Sequence, residues 1–164
     1  MKLEDFFINN PKVAIAFSGG VDSAYLLYAA KNYGAEVKAY YVASEFQPEF
    51  EKKDALRLTE ELGADMQILP LQVLCDPNVR ANPADRCYYC KKQIFSAIVK
   101  AAAEDGFTLI LDGSNASDDA GDRPGMRVLK EMSVRSPLRE CGLTKAQIRE
   151  LSKEAGLFTW DKPA

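Results

Sequence analysis

The chain has 164 residues, of which 47% are hydrophobic and 27% charged, a composition that suits one globular domain with a substantial core. Its net charge is −3 and no dense basic run occurs, which disfavours tight nonspecific binding to nucleic acid. Because the chain contains no histidine, a Ser-His-Asp triad, a Cys-His pair and any imidazole metal ligand are excluded.

The first predicted elements are a strand, a glycine turn and a helix. Val13, Ile15 and Phe17 alternate with alanines, which is typical of a short strand with two apolar faces, as in a buried parallel sheet. A largely buried helix is predicted over residues 21–33, ending at Gly34. The turn between them comprises Ser18, Gly19, Gly20, Val21, Asp22 and Ser23.

This turn predicts a binding site for phosphate. Adjacent glycines let the backbone bend and approach a ligand closely, and the N–H groups and dipole at a helix N-terminus favour an anion. The pattern S-G-G-V-D-S differs from both the dinucleotide fingerprint G-x-G-x-x-G and the Walker A loop. An ordinary glycine turn between a strand and a helix is the alternative interpretation.

The following segments continue the alternation of strands and helices. A second strand is predicted over residues 36–43, a helix over 48–62 and a third strand over 65–71. Ligands of doubly wound sheets lie outside the carboxyl ends of the strands, so we expect an adenosine across the first two strands. Prolines and asparagines in residues 72–85 break the periodicity and predict an irregular connection.

A Cys-x-x-Cys pair begins the next predicted helix. Cys87 and Cys90 lie beside Arg86 at or just inside the helix N-terminus, where the dipole and cationic neighbours stabilise a thiolate. The pair is compatible with a redox couple, half of a metal or iron–sulfur site, a sulfur carrier, or a purely structural role. A standard zinc site is disfavoured, because only the isolated Cys75 and Cys141 remain as further thiol ligands.

A polar loop follows the fourth predicted strand, residues 107–111, and forms a second candidate site. Asp118 and Asp119, with Asp22, supply hard oxygen ligands of the type that Mg²⁺ takes. A solvated acidic turn is the alternative. The expected nucleotide contacts in this loop are Gly113, Ser114 and Asn115.

The last predicted elements are a fifth strand over residues 132–135 and a helix that begins with a capping box at Thr144. Lys145 lies in the first turn of this helix, where its charge opposes the helix dipole. That conflict is easier to explain if Lys145 faces a bound phosphate.

The order of these motifs resembles a known family. S-G-G-V-D-S, R-C-Y-Y-C-K, D-G-S-N-A-S-D-D, S-P-L and W-D-K-P-A follow one another as in the ATP-dependent sacrificial sulfur transferases, which thiolate the nickel-pincer cofactor precursor of lactate racemase. These enzymes belong to the PP-loop ATP pyrophosphatases. The resemblance implies an α/β fold of the adenine nucleotide alpha hydrolase type, with a doubly wound, mostly parallel five-stranded sheet and helices on both faces.

The resemblance also implies a reaction, in which a PP-loop domain adenylates a substrate carboxylate, releases pyrophosphate and so prepares sulfur transfer. In the family, a cysteine shortly after the D-K-P-A motif gives up its sulfur, whereas this sequence ends at Ala164. We therefore expect residues 1–164 to form a single PP-loop domain without the sulfur-transfer region. Such a chain is either a truncated form, inactive in sulfur transfer, or a stand-alone form that uses another sulfur donor.

The implied mechanism assigns roles to the residues singled out above. The backbone N–H groups of Gly19 and Gly20 and the hydroxyls of the flanking serines would hold the β- and γ-phosphates of ATP. Mg²⁺ would bind Asp22 and either Asp118 or Asp119. Lys145 and Lys162 would neutralise the departing pyrophosphate. An ionised carboxylate nucleophile needs no general base.

Two other functions remain open from the sequence. One is tRNA thiolation or amidation by another PP-loop enzyme, and the other is a non-catalytic module that binds ATP or AMP. The expected partners are ATP and a small carboxylate-bearing nucleotide, and we expect a homo-oligomer. The sequence contains no secretory leader and no apolar run near 18 residues, so a cytoplasmic location without a membrane span is expected.

Overall fold

Four parallel strands form the centre of the structure, a computed structural model that describes residues 2–17, 20–43, 49–70, 86–117 and 128–161, with only the backbone described at 49–50 and 86–91. The strands are β1 (Lys12–Ala16), β2 (Glu36–Ala43), β3 (Asp65–Pro70) and β4 (Ile110–Leu111). The helices are α1 (Leu3–Asn9), α2 (Val21–Asn32), α3 (Glu49–Leu62), α4 (Arg86–Glu104), α5 (Pro137–Glu140) and α6 (Lys145–Glu154), with a 3-10 helix at Phe158–Asp161.

The sheet separates two apolar clusters, because successive strand residues point to opposite faces. On one face, Val13 and Ile15 of β1 pack with side chains of α1, α2, α3 and α6. On the other face, Ala14 packs with Tyr40 of β2, with α4 and with a short helical segment at residues 128–131. The predicted α/β fold with a parallel sheet and helices on both sides is therefore confirmed. None of the described helices is long and apolar enough to cross a membrane.

The strand order, β3-β2-β1-β4, determines where a ligand is expected. From β1 the chain proceeds outward through β2 and β3 and then crosses back to place β4 on the opposite side of β1. The loops that follow β1 and β4 therefore leave the sheet in different directions, which opens a crevice at their carboxyl ends. This switch point lies between β1 and β4.

The fourth strand is shorter than predicted. Gly106 adopts a left-handed conformation, with φ of 88°, and the Phe107 N–H then donates to the Ala102 carbonyl at 2.8 Å. This bond ends α4 and directs the Phe107 N–H away from the sheet, so pairing with β1 becomes regular only at Ile110.

The fifth predicted strand, residues 132–135, is reduced to one bridge in the described structure. Ser133 has a φ of 57°, and the Val134 N–H donates back to the Leu129 carbonyl at 2.9 Å, so this segment completes a helix end. Only Arg135 pairs in parallel with Leu111 at the edge of the sheet. The sequence pattern was apolar enough for a strand but did not reveal the turn that precedes it.

Candidate active site at the β1/β4 crevice

The candidate active site is formed where α2 begins and where the loop at residues 112–117 leaves β4. Gly20 is the N-cap of α2 and has extended backbone angles, φ −82° and ψ 178°. Val21 and Ser23 are buried in the first turn, whereas Asp22 is about one-fifth exposed and points out of the core. The helix therefore presents its N-terminal end and one carboxylate to the crevice.

The Asp22 carboxylate has a donor on each oxygen. The Lys145 ammonium lies 2.8 Å from Oδ2, and the Asn115 amide nitrogen donates to Oδ1 at 3.1 Å. The Lys145 side chain is 27% exposed, so the ion pair is only partly open to solvent. One carboxylate, one cation and one neutral donor, from three separate segments, therefore meet at one point.

The start of α6 places Lys145 at this point. Thr144 caps the helix by accepting from the Gln147 N–H, and the Gln147 side chain accepts from the Thr144 N–H, which confirms the predicted capping box. Lys145 then occupies the first helical position and extends across to α2. Its charge is compensated by Asp22 in the described structure, whereas the sequence suggested a phosphate as its partner.

Asn115 is fixed in one orientation at the crevice. It is 1% exposed, and its side-chain oxygen accepts from the Ser117 N–H at 2.7 Å. Because that oxygen is held by the loop backbone, the amide N–H groups of Asn115 are turned toward Asp22.

Gly113 allows the loop to lie against the first turn of α2. A Cβ at this position would lie 3.0 Å from the backbone nitrogen of Ser23 and 3.2 Å from the Cβ of Asp22. Both neighbours belong to helix backbone or are attached to it directly, so they cannot move aside at low cost. The predicted site glycine is therefore required by a close approach of two segments.

Ser114 and Asp112 maintain the shape of the loop. The Ser114 hydroxyl donates to Asp112 Oδ2 at 2.7 Å, and the Ser136 hydroxyl donates to Asp112 Oδ1. Asp112 is 6% exposed, so this buried carboxylate connects the loop to the start of α5. The Ser114 hydroxyl, predicted to contact nucleotide, is engaged within the protein here.

Several predicted site residues lie outside the described part of the chain. Within the described residues, no group of three or more Cys, Asp or Glu side chains is arranged to hold a metal. Cys87 and Cys90 are the second and fifth residues of α4, at the helix N-terminus as predicted, and only their backbone is described. The residues outside the described ranges are Ser18, Gly19, Asp118, Asp119 and Lys162.

Cys141 lies away from the crevice chemistry, in a turn. It follows α5, is partly buried, and its N–H donates to the Pro137 carbonyl at 2.9 Å. Burial raises the pKa of its thiol, which disfavours the reactive thiolate.

Two serines that were not singled out from the sequence, Ser117 and Ser136, organise the site. Ser117 donates its N–H to Asn115 and accepts the Lys145 N–H at 3.1 Å through its hydroxyl, while Ser136 holds Asp112. A local signal existed for Ser117, because an Asn two residues before a Ser at a strand end is typical of an Asx turn. No local signal existed for Ser136, which is 24 residues from its partner.

The chain is similar in sequence to several known proteins and in fold to several solved structures. The family model of the queuosine biosynthesis protein QueC matches residues 12–83. An uncharacterized protein of Synechocystis is 34% identical over 164 residues, covering 99% of this chain and 61% of the relative. The pyridinium-3,5-bisthiocarboxylic acid mononucleotide synthase of Lactiplantibacillus plantarum is 37% identical over 155 residues, covering 93% and 56%. A tRNA-specific 2-thiouridylase of Thermotoga maritima is 25% identical over 193 residues, covering 92% and 54%.

Among solved structures, the NMN synthetase of Francisella tularensis has a TM-score of 0.73 and 20% identity, covering 99% of this chain and 70% of that protein. At this identity the match supports the fold alone. The chain spans between 54% and 61% of the length of the curated relatives just described.

Proposed function

The chain belongs to the PP-loop superfamily of adenine nucleotide alpha hydrolases, and on this premise we propose that it is an ATP pyrophosphatase acting ahead of sulfur transfer. Its substrate would be a small nucleotide that bears a carboxylate. The relative at 37% identity is named for a bisthiocarboxylic acid product, and replacing its two sulfur atoms by oxygen gives pyridinium-3,5-dicarboxylate mononucleotide. That dicarboxylate is the substrate we propose.

The meeting of Asp22, Lys145 and Asn115 at the N-terminus of α2 is the observation that carries the proposal. Triphosphate is a dense anion, and a helix N-terminus with an adjacent ammonium is suited to bind it. Asp22 and Asn115 come from the segments that follow β1 and β4, at the switch point where ligands of such sheets lie, and Lys145 reaches them from the start of α6.

The side chains have distinct roles in the proposed reaction. Lys145 stabilises negative charge on the departing pyrophosphate, because its ammonium already lies at the crevice beside α2. Asn115 keeps Asp22 oriented by a hydrogen bond to Oδ1. Ser18, Gly19 and Lys162 complete the phosphate site in this proposal.

Magnesium fits the chemistry of this site, because Mg²⁺ typically takes one or two protein carboxylates and fills its other positions with water and phosphate. Asp22, with Asp118 or Asp119, would hold the ion, which would supply charge neutralisation to the phosphates when bound.

The proposed step conserves atoms and charge. A substrate carboxylate oxygen attacks the α-phosphorus of ATP, the bond from that phosphorus to the β-bridging oxygen breaks, and pyrophosphate leaves with the electron pair. The product is a mixed carboxylic–phosphoric anhydride, an acyl adenylate. No proton is transferred, since the carboxylate is ionised near neutral pH.

Isotope transfer tests the proposal directly. The chain is incubated with ATP, Mg²⁺ and pyridinium-3,5-dicarboxylate mononucleotide labelled with ¹⁸O in its carboxylates, and pyrophosphate and AMP are analysed. We expect pyrophosphate release that depends on the dicarboxylate, and AMP that carries one ¹⁸O after the acyl adenylate is cleaved at its acyl carbon. Nicotinamide mononucleotide, whose pyridinium ring carries one carboxamide and no carboxylate, is the control and should give no pyrophosphate release.

A pair of aspartate variants locates the chemistry. Asp22→Asn removes the negative charge at the crevice, so we expect pyrophosphate release to fall at least about 100-fold. Asp65→Asn changes an exposed aspartate at the start of β3 in the same way and should leave the rate unchanged. Normal pyrophosphate release by Asp22→Asn would overturn the site assignment. ATP binding without any release, with every carboxylate tested, would instead favour a non-catalytic nucleotide-binding module.

Thiolation of tRNA is the second candidate, because the 2-thiouridylase relative covers 92% of this chain. Both candidates share ATP-dependent activation and differ in the nucleophile, which is a carboxylate in one and a nucleic-acid base in the other. Pyrophosphate release that depends on tRNA and not on the dicarboxylate would select this alternative.

A further inference from the structure

The candidate site contains a closed ring of polar contacts. Asp22 Oδ1 accepts from the side-chain amide of Asn115, whose side-chain oxygen accepts from the Ser117 N–H. The Ser117 hydroxyl accepts from the Lys145 N–H, and the Lys145 ammonium returns to Asp22 Oδ2. Two of these contacts span sequence separations of 93 and 123 positions, so the ring fixes three distant segments relative to one another.

Ser117 is the member of this ring that has no role in the proposed chemistry. Its hydroxyl is the acceptor for the first N–H of α6, one of the donors for which a helix has no internal partner. The preceding residue, Ala116, donates its N–H to the Leu143 carbonyl at 2.7 Å. The loop after β4 therefore holds the chain on both sides of Thr144 and sets where α6 begins.

We propose that Ser117 is a positioning residue that determines where the Lys145 ammonium lies at the nucleotide site. The ammonium is at the end of a flexible four-carbon side chain, so its mean position depends on how firmly the Lys145 backbone is anchored. The hydroxyl of Ser117 anchors that backbone at its N–H. For nucleotide binding, the inference rests on the proposed function, whereas the ion pair with Asp22 offers a readout that is independent of it.

The first experiment measures coupling between Asp22 and Lys145 in unfolding. Urea unfolding of wild type, Asp22→Asn, Lys145→Met and the double variant gives the coupling as a ratio of folding constants. We expect about fivefold coupling for this partly exposed pair. Adding Ser117→Ala to all four proteins should reduce the coupling to less than about twofold, and adding Ser117→Thr, which keeps the hydroxyl, should preserve it. Unchanged coupling with Ser117→Ala would overturn the inference.

The second experiment measures ATP affinity by calorimetry. Ser117→Ala should weaken ATP binding about fivefold, the loss typical of one hydrogen bond, and Ser117→Thr should remain within about twofold of wild type. In a Lys145→Met background, Ser117→Ala should have no additional effect, because the residue acts through Lys145. An equal loss in both backgrounds would show that Ser117 acts by another route and would overturn the inference.

Ser152→Ala is the matched control, since it removes a serine hydroxyl from α6, the helix that carries Lys145. The Ser152 hydroxyl is fully buried and makes no hydrogen bond within the described structure. We expect this variant to keep both the Asp22–Lys145 coupling and the ATP affinity. If wild type binds no ATP, the proposed function fails while the unfolding experiment still decides the role of Ser117.

Discussion

Asn115 determines which groups the Asp22 carboxylate meets at the crevice. Its oxygen is used by the Ser117 N–H, so its N–H groups are turned to Asp22. A carboxylate in its place would keep the acceptor and lose the donor. This buried position therefore requires an amide, and an isosteric acid would place two negative oxygen groups in contact.

We predict that Asn115→Asp lowers the free energy of unfolding by about 1–3 kcal/mol at pH 7. Asp22 Oδ1 loses its hydrogen-bond donor and meets a second carboxylate instead. Repulsion raises the pKa of the new acid in the folded protein, so it is neutral in the folded state at acidic pH. The loss should accordingly shrink as pH falls through the ordinary aspartate range near 4. Urea unfolding at pH 4 and pH 7 measures the difference.

The double variant Asp22→Asn with Asn115→Asp provides the control for this prediction. It again brings together one carboxylate and one amide, so it should be more stable at pH 7 than Asn115→Asp alone. Equal stability of the single and double variants would show that repulsion at Asp22 is not the cause.

At the scale of elements, the contact between the β4 loop and α2 depends on Gly113. We predict that Gly113→Ala separates the two segments by a few tenths of an ångström or more, because the new Cβ would lie 3.0 Å from the Ser23 backbone nitrogen. ATP affinity should fall about tenfold, since Asn115 and Asp22 no longer meet at bonding distance. Gly142→Ala is the control, because a Cβ there meets open space and strains only the backbone, whose φ is 73°. It should leave ATP affinity unchanged, since it does not separate the two segments. Normal ATP affinity in Gly113→Ala would contradict the prediction.

A second connection between elements joins the end of α4 to β2 on the far side of the sheet from α2. Asp105 Oδ2 accepts from the Lys38 ammonium at 2.8 Å and from the Tyr40 hydroxyl at 2.6 Å. The hydrogen bond from Lys38, followed by that from Tyr40, lowers the pKa of Asp105 below its ordinary value of 3.8. Burial and the hydrogen bond to Asp105 raise the pKa of Tyr40.

This lowered pKa predicts a contribution to folding stability that is lost in acid. A carboxylate whose pKa falls on folding stabilises the folded state above its unfolded pKa, and the contribution disappears as pH falls through the folded pKa. Wild type should therefore exceed Asp105→Asn in urea midpoint by a constant amount above pH 5, and the difference should shrink as pH falls below the ordinary aspartate value of 3.8. Glu104→Gln, on the adjacent exposed residue, is the control. A difference that persists unchanged at pH 2.5 would contradict the assignment.

The elements themselves were predictable where one local pattern determined them. The helix after the glycine turn, predicted over residues 21–33, is observed at Val21–Asn32, and β2 is observed at its predicted bounds, Glu36–Ala43. The fourth and fifth strands were not, because tight turns at Gly106 and Ser133 redirect backbone N–H groups to helix ends. Such turns depend on positive φ angles that the apolar pattern does not report.

At the scale of the whole molecule, the residues of the candidate site could be predicted from the sequence, but the contacts between them could not. Asp22, Asn115 and Lys145 were each singled out from a local motif. Their mutual contacts depend on how α6 packs against α2, through buried side chains such as Ile148. The sequence therefore suggested an external phosphate as the partner of Lys145, whereas the fold supplies Asp22.

The charge of the whole molecule separates the two candidate functions. Nonspecific binding to a nucleic-acid backbone depends on basic residues that replace counterions, and this chain has 24 acidic and 21 basic residues. We therefore predict that fluorescently labelled tRNA shows no binding at about 100 µM protein in 0.15 M salt, whereas ATP binds to the same preparation. Anisotropy measured across a salt series tests this. Micromolar tRNA affinity that falls steeply with salt would contradict the prediction and favour tRNA thiolation, because it would show a basic surface that the net charge of −3 conceals.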